Sequence, residues 1–340
     1  MSVQDPVAID AAKPQALRPA PSGAAIQMRF AAIWLALLAL LAIGAIFVPR
    51  SILPSTMLAV VPFAAFLCLT AMGEALVLMS RGIDLSIPAV IALSSTVLLG
   101  ASSGRNEDLV VALLAALAFA TLIGLINGFL VAVVKLNALI VTLAIGAITQ
   151  GATLWYRESL PQEARVPPLL ADWGGSRVLG INVAVWVTAA LVIVLSVALR
   201  KTTHGRRFAA AGANPRAAWV AGIDVPAYQI AAFAVAGFLY GVAGIVISAF
   251  IRNPTLNVGD PYLLAPIAAA VLGGTAITGG IGSMVAVAGA ALFLTHLGQM
   301  LKMLGLSTAF QFIIYGIAIA VGMALAESRL GIVRRWRGRT

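Results

Sequence analysis

Residues 109–134 read LVVALLAALAFATLIGLINGFLVAVV and contain no acidic or basic side chain. An α-helix rises 1.5 Å per residue, so about 20 apolar residues cross the ~30 Å hydrocarbon core of a bilayer. The stretch is long enough and apolar enough to do this. It therefore predicts a membrane-spanning helix.

Comparable apolar runs follow one another along most of the chain. Of the 340 residues, 61% are hydrophobic and 10% are charged, whereas soluble domains carry roughly 25% charged residues. We predict an all-α polytopic membrane protein with about ten transmembrane helices. The predicted spans are 30–48, 57–79, 86–100, 109–134, 139–155, 181–199, 228–251, 262–280, 284–301 and 307–326. The third is short, which suggests a broken or half-length helix.

Basic residues between the spans indicate the orientation. With both termini in the cytoplasm, 15 Lys and Arg residues lie inside and 7 outside, which together are the 22 in the chain. This bias agrees with the positive-inside rule. We therefore predict a disordered cytoplasmic tail over residues 1–29, a transmembrane domain over 30–326 and a basic cytoplasmic tail over 327–340. Residues 30–48 are interpreted as a retained first span rather than a signal peptide.

The sequence argues against several functional classes. The net charge of +10 is explained by basic residues that flank the spans, so we expect no nucleic-acid partner. Cys68 has no cysteine partner for a disulfide, and His204 and His296 lack companion metal ligands. No Gly-x-x-x-x-Gly-Lys-Ser/Thr pattern occurs, so the chain has no phosphate-binding loop of its own.

The segment 200–227 combines signals for a short helix between two spans. Asn214 is a good N-cap, Pro215 suits the first helical position, and Gly222 suits a left-handed stop after Arg216–Ala221. Such a short helix is unstable alone in water and must pack against something. It rests either on the protein's own membrane-proximal surface or in a groove on a cytoplasmic partner.

Four groups of motifs in register resemble one family. The segment 205–223 is similar to the coupling-helix loop of ribose-type (monosaccharide) importer permeases of the ATP-binding-cassette class. The Gly-Ile-Asp-Leu-Ser sequence at 82–86 resembles the segment after the family's second span. Further matches are Asn-Gly-Phe-Leu-Val at 127–131 with Ile-Val-Thr-Leu at 140–143, and Gly-Gly-Thr at 273–275 with Gly-Gly-Ile-Gly at 279–282. The resemblance covers approximately residues 30–330.

The resemblance implies a non-catalytic inner-membrane subunit that binds no cofactor directly. In this family a separate ATPase uses ATP, an external solute-binding protein delivers the solute, and two permease chains form the pathway within the lipid. Substrates are mostly pentoses, hexoses, polyols or nucleosides. The residues implied to couple to the ATPase are Gly205, Arg206, Gly212, Asn214, Pro215, Arg216, Ala217, Ala218 and Gly222.

Other polar or small residues within the apolar runs have two interpretations. They line a solute pathway, or they hydrogen-bond and pack helix against helix. These residues are Asp84, Asn127, Thr142, Gln150, Gly273, Gly274 and Thr275. For Asp84 we favour capping of the third helix or pairing with Arg81. The alternative function is an ion-coupled secondary transporter, for which Glu74 and Asp84 are the available ionisable groups.

Overall fold

The computed structural model describes residues 23–161, 164–317 and 320, and these are almost entirely helical. Arg177–Val178 (β1) and Ile181–Asn182 (β2) pair as a small antiparallel hairpin. Short 3-10 helices cover Pro49–Ile52 and Leu256–Tyr262. The α-helices are α1 Gly23–Phe47, α2 Pro54–Met79, α3 Ile87–Ser102, α4 Leu109–Ala132, α5 Ala138–Glu158, α6 Pro168–Gly175, α7 Val183–Lys201, α8 Thr203–Ala213, α9 Pro215–Val220, α10 Val225–Ile251, α11 Ala265–Leu272, α12 Met284–Met303 and α13 Thr308–Ile317.

In the described part of the chain, seven helices are long and apolar enough to cross a membrane: α1, α2, α4, α5, α7, α10 and α12. Each corresponds to one predicted span, which confirms a polytopic α-helical chain. Three further apolar helices, α3, α11 with the 3-10 turn before it, and α13, are shorter. A count of ten full spans therefore does not follow from the described residues.

The predicted span 262–280 is wrong as a continuous helix. Its helix α11 has eight residues and ends at Leu272, because Gly273 and Gly274 follow and Gly274 has a φ of +82°. The chain then turns through 273–283 and enters α12. The predicted short third span is confirmed as the 16-residue helix α3.

Three predictions concern the ends of the chain, and the structure describes only part of the residues involved. Helix α1 begins at Gly23, so the predicted disordered tail of residues 1–29 is too long. The residues that follow Gly23 are mainly good helix formers, which extends the helix ahead of its apolar part. Residues 1–22, the predicted tail 327–340 and much of the predicted span 307–326 lie outside the described residues.

Helices α2 and α10 form the centre of the bundle, and both are buried along most of their length. Helix α4 packs against α10 through a stripe of small residues at every fourth position, which lets the two backbones approach closely. A Cβ atom at Gly124 would collide with the Phe233 carbonyl oxygen, and one at Gly128 would lie 2.8 Å from the Ile230 Cα. The stripe is Ala112, Ala116, Ala120, Gly124 and Gly128.

The segment 200–227 is more regular than the sequence predicts. Asn214–Gly222 follows the prediction, but residues 203–213 also form a helix, α8, that sequence reasoning treated as a loop. Thr202 caps α8 by accepting a hydrogen bond from the Gly205 N–H at 3.0 Å. The segment thus contains two short helices, α8 and α9, between the spanning helices α7 and α10.

Candidate coupling site

The corner between α8 and α9 is built around Asn214. Its backbone N–H donates to the Ala210 carbonyl at 3.1 Å and thereby ends α8. Its side-chain oxygen accepts from the Ala217 N–H at 3.2 Å and thereby starts α9. Pro215 occupies the first position of α9, where no intrahelical N–H is needed. One residue therefore fixes the angle between the two helices.

The other end of α9 is closed by a left-handed glycine. Gly222 has a φ of +76°, and its N–H donates to the Trp219 carbonyl at 2.9 Å. The Ile223 N–H donates to the Ala218 carbonyl at 3.0 Å. These bonds satisfy carbonyl groups that a helix end otherwise leaves open. Helix α9 is short but capped at both ends, so it behaves as a rigid element.

Helix α9 has one covered face and one open face. Ala218 is buried against Ala211 and Val225, so part of the helix rests on the protein's own surface. Trp219 and Val220 are 70% and 80% exposed. The exposed residues border an open groove of about 920 Å³, which Arg216 also lines. The covered face agrees with packing on the protein's own surface, and the open face leaves room for a partner.

Beneath this corner, α2, α8 and a glycine turn meet at a single point. The Arg81 guanidinium donates from Nε to the Gly212 carbonyl and from Nη2 to the Ala213 carbonyl, both at 2.7 Å. The Gly280 N–H donates to the Met79 carbonyl at 2.8 Å. We call the contact between Met79–Arg81, Gly212–Ala213 and Gly279–Gly280 the junction.

The junction leaves no room for side chains on its glycines. A Cβ at Gly212 would collide with the Met79 carbonyl oxygen. At Gly279 it would lie 2.5 Å from the Gly212 carbonyl oxygen and 2.6 Å from Arg81 Cγ. At Gly280 it would lie 2.7 Å from the Ala213 Cα. The three backbones therefore touch directly.

The third glycine of the predicted coupling set, Gly205, lies in the first turn of α8. Gly205 is buried, and a Cβ there would collide with the Ala198 and Leu199 carbonyl oxygens at the end of α7. Arg206 lies nearby on the surface, where its guanidinium donates to the Thr203 hydroxyl at 3.3 Å. Gly205 thus lets the chain reverse tightly from α7 into α8.

The connector of residues 80–86 between α2 and α3 holds a buried polar cluster. The carboxylate oxygen Asp84 Oδ1 accepts from the Ser86 N–H at 2.8 Å and from the Ser86 hydroxyl at 2.6 Å. The Asn127 side chain donates to the same hydroxyl oxygen at 3.0 Å, and the Thr142 hydroxyl accepts from the Leu85 N–H at 3.0 Å. Helices α4 and α5 are thereby tied to the connector.

Two carboxyl groups contribute to this cluster. Glu74 is fully buried on α2, and its Oε2 accepts from the Asp84 N–H at 3.3 Å. Burial raises the pKa of Asp84 to about 6, although its hydrogen bonds with Ser86 act in the opposite direction. Arg81 bonds to the carbonyls of α8, so the predicted pairing of Asp84 with Arg81 is wrong.

The remaining predicted residues fall outside the cluster. Gly273 and Gly274 end α11, and a Cβ at Gly273 would lie 2.8 Å from the Val287 backbone of α12. Thr275 is buried in the turn, and its N–H donates to the Ala270 carbonyl at 3.0 Å. Gln150 is half-buried on α5, about two turns from Thr142. Gly273 and Gly274 thus serve the turn and its packing.

Sequence reasoning missed the partners of Arg81 and the contact of Gly279–Gly280 with α8. Arg81 is separated from Gly212 by 131 residues, and no local pattern announces a contact over that distance. The sequence carries one indirect signal. Arg81 directly follows an apolar run, and a basic side chain at such a place can hydrogen-bond to the carbonyls at a helix C-terminus. The contact between residues 79–81, 212–213 and 279–280 depends on the tertiary arrangement of the three segments.

Comparison with known proteins identifies the family. Residues 56–323 match the profile of the family described as branched-chain amino acid transport system / permease component. The ribose import permease RbsC of Haemophilus influenzae is 31% identical over 303 residues, which is 88% of this chain and 93% of the relative. RbsC of Bacillus subtilis is 32% identical over 301 residues, covering 87% and 92%.

A third relative, the autoinducer 2 import permease LsrC of Escherichia coli, is 33% identical over 264 residues, covering 75% of this chain and 74% of the relative. No solved structure matches the chain. The profile match alone spans more than half of the sequence. The chain therefore belongs to this permease family, and to its ribose-type ATP-binding-cassette importer permeases.

Proposed function

We propose that this chain is the membrane permease subunit of an ATP-binding-cassette importer for a sugar-like solute. It forms the translocation pathway and takes its energy from a separate ATPase that docks on α8 and α9. The observation that carries this proposal is the open face of α9. A capped, rigid helix presents Arg216, Trp219 and Val220 outward beside a groove.

An exposed tryptophan beside an arginine suits a protein partner. Tryptophan and arginine are enriched at the energetic centres of protein interfaces. The alternative, that α9 only packs on its own helical bundle, accounts for the burial of Ala218 but not for the 70% exposure of Trp219. The coupling residues are Gly205, Arg206, Gly212, Asn214, Pro215, Arg216, Ala217, Ala218 and Gly222. Of these, Arg206, Arg216 and Ala217 are exposed for direct contact, and Gly205, Gly212 and Asn214 shape the segment.

The proposal includes the other parts of such an importer. An external solute-binding protein delivers the solute, a second permease chain completes the pathway, and lipid covers the remaining apolar surface. The complex lies in a bacterial inner membrane with both termini of this chain in the cytoplasm and with α3, α11 and α13 as shorter membrane elements. Relatives named for the import of ribose and of autoinducer 2 support a sugar-like solute. The candidate classes are pentoses, hexoses, polyols and nucleosides.

The polar cluster supports this assignment better than an ion-coupled mechanism. An ion-coupled transporter binds its coupling ion near the middle of the membrane, at ionisable side chains or unwound backbone carbonyls. Glu74 and Asp84 instead use oxygens to hold the backbone and side chains of the connector.

The test is purification of the tagged chain from its native host with identification of bound proteins. We expect a cassette ATPase to co-purify with the unaltered chain. Trp219→Ala should lower its recovery at least about tenfold, the scale of a central interface residue. Trp155→Ala is the matched control, since Trp155 is 77% exposed near the end of α5, away from α9.

Either of two results would refute the proposal. One is the absence of any ATPase from gently solubilised complexes of the unaltered chain. The other is recovery of the ATPase at the level of the unaltered chain from both Trp219→Ala and an Asn214→Ala variant, which lacks the side-chain cap between α8 and α9. If a binding protein co-purifies, its thermal stabilisation by ribose, other pentoses, hexoses and nucleosides then names the solute class.

A further inference from the structure

We propose that Arg81 is the positioning residue that transmits movement of α8 and α9 to α2 and to the connector behind it. This inference rests on the proposed function and adds the route by which the docking surface reaches the membrane helices. Arg81 lies at the end of α2, while the carbonyls it holds belong to Gly212 and Ala213, directly before the Asn214 cap. The link between the two regions is thus one side chain long.

The geometry of this link makes it stiff. Arginine presents its donors in a fixed planar fork, and here two of them engage successive carbonyls at 2.7 Å. Hydrogen bonds from a charged donor are stronger than neutral ones. Arg81 also has a φ of +69°, the left-handed conformation of the motif that ends α2, in which the Gly82 N–H donates to the Val77 carbonyl at 2.9 Å. A displacement of the α8 end therefore pulls on the backbone of residue 81.

Backbone contacts around the Arg81 side chain limit the movement of α8 relative to α2. Met79 touches Gly212 and accepts from the Gly280 N–H, so the end of α2 is clamped between α8 and the glycine turn. Gln229 at the start of α10 donates to the Ser80 carbonyl at 3.2 Å. The segments around α9 therefore have little freedom to move without α2.

On the membrane side, Arg81 continues directly into the polar cluster. Three residues later, the Asp84 N–H is held by Glu74 on α2, and the Leu85 N–H is held by Thr142 on α5. Asn127 on α4 reaches the same connector through Ser86. Hydrogen bonds and the backbone of residues 81–86 together thus join Asn214, at the start of α9, to α2, α4 and α5. Such a network is a physical route for coupling between distant sites.

The experiment uses spin labels to measure the distance between the outer ends of α2 and α5. ATP binds to the ATPase on the opposite, cytoplasmic side. Labels are placed at Ser55→Cys on α2 and Glu158→Cys on α5 in a Cys68→Ser background, because Cys68 is the single native cysteine and both label positions are exposed. The distance between them is measured in the ATPase-bound complex with and without ATP and vanadate. This readout needs no knowledge of the solute.

We expect ATP with vanadate to shift the distance in the unaltered complex. In Arg81→Gln the ratio of shifted to unshifted molecules should fall at least about tenfold, as expected when charged hydrogen bonds are lost. ATPase recovery and hydrolysis should persist, because α9 and its exposed face are unchanged. Arg81→Lys, which keeps the charge without the fork, should restore part of the shift. Arg105→Gln is the control, since Arg105 lies in the turn before α4 and pairs with Asp108.

A full distance shift in Arg81→Gln would overturn the inference and leave the proposed function intact. Loss of ATPase recovery in that variant would also overturn it, because Arg81 would then support docking rather than transmission. If Arg81→Gln does not fold, Arg81→Lys carries the test, and a shift of normal size in it contradicts the inference. Failure of the unaltered chain to bind any ATPase would instead refute the proposed function.

Discussion

The α4–α10 contact and the junction both depend on glycine, yet they differ in what surrounds it. In the α4–α10 contact, Gly124 and Gly128 sit in a stripe of alanines and press one apolar helix onto another. In the junction, Gly212 and Gly280 press backbone onto backbone beside a guanidinium that holds two carbonyls. The α4–α10 contact extends along two helices, whereas the junction joins three segments at a single place.

We expect the two contacts to have different roles: the α4–α10 contact stabilises the folded chain, and the junction transmits movement between segments. Close apolar packing over many residues contributes van der Waals contact between helices in a membrane, where no hydrophobic effect drives them together. A point contact made of directional bonds contributes less to stability, but it fixes the relative position of its partners. We therefore expect substitutions in the α4–α10 contact to unfold the chain, and substitutions in the junction to uncouple it.

The largest effect is expected at Gly124. In Gly124→Ala the new methyl group meets the Phe233 carbonyl, so α4 and α10 must separate at a cost of about 1–3 kcal/mol or more. The same substitution at Gly151 on α5, where a Cβ meets nothing within 4 Å, should instead stabilise the helix by up to about 1 kcal/mol. Thermal unfolding midpoints in detergent compare the two. Equal midpoints would remove the basis for the α4–α10 contact as a determinant of stability.

A smaller effect on stability but a large one on coupling is expected at Gly280. Gly280 and Gly305 have φ values of +79° and +78°, so alanine brings the same backbone strain, about 1 kcal/mol, to both. Only at Gly280 does the new Cβ also meet Ala213, at 2.7 Å. Gly280→Ala should therefore abolish the ATP-induced distance shift between the labels on α2 and α5.

Gly305→Ala, in contrast, should keep that shift. Since the strain is matched, the comparison isolates the contact with α8. A shift retained in both variants would show that the junction carries no movement, whatever the fate of Arg81. A shift lost in both would show that general strain rather than the contact disables the chain.

The smallest effect is expected at the edge of the polar cluster. In Thr142→Val the Leu85 N–H loses its acceptor in a partly buried connector, which destabilises the chain by about 0.5–1.5 kcal/mol. Thr153 is equally buried on α5, but its hydroxyl donates to the Thr149 carbonyl within the same helix. Thr153→Val should therefore change the unfolding midpoint little. Equal losses for the two variants would contradict a specific role for the bond between Thr142 and the connector.

The sequence predicted the membrane helices well because their signal is local. A run such as 109–134 needs nothing beyond its own residues to be recognised, and the helix occupies Leu109–Ala132. The caps of α9 are local as well, so Asn214, Pro215 and Gly222 were assigned their structural places from spacing alone. Patterns of this kind are set by backbone geometry within a few residues.

Contacts between distant segments could not be predicted in the same way. The span 262–280 failed because its apolar residues continue past Gly273 and Gly274, and hydropathy does not register a turn that neighbouring helices cover. Helix α8 was missed because its Arg206–Arg207 pair and its small residues resemble a loop in composition, while the packing of Phe208 and Ala211 stabilises it as a helix. The partners of Arg81 depend on the tertiary arrangement alone.

The most direct test of the central claim is solute uptake by the reconstituted complex. The permease, its co-purified ATPase and its binding protein are placed in liposomes, and uptake of the sugar that stabilises the binding protein is followed. We predict that uptake requires ATP on the side of α8 and α9 and persists when proton and sodium gradients are abolished. Uptake that needs no ATP and follows an imposed proton or sodium gradient would contradict the account.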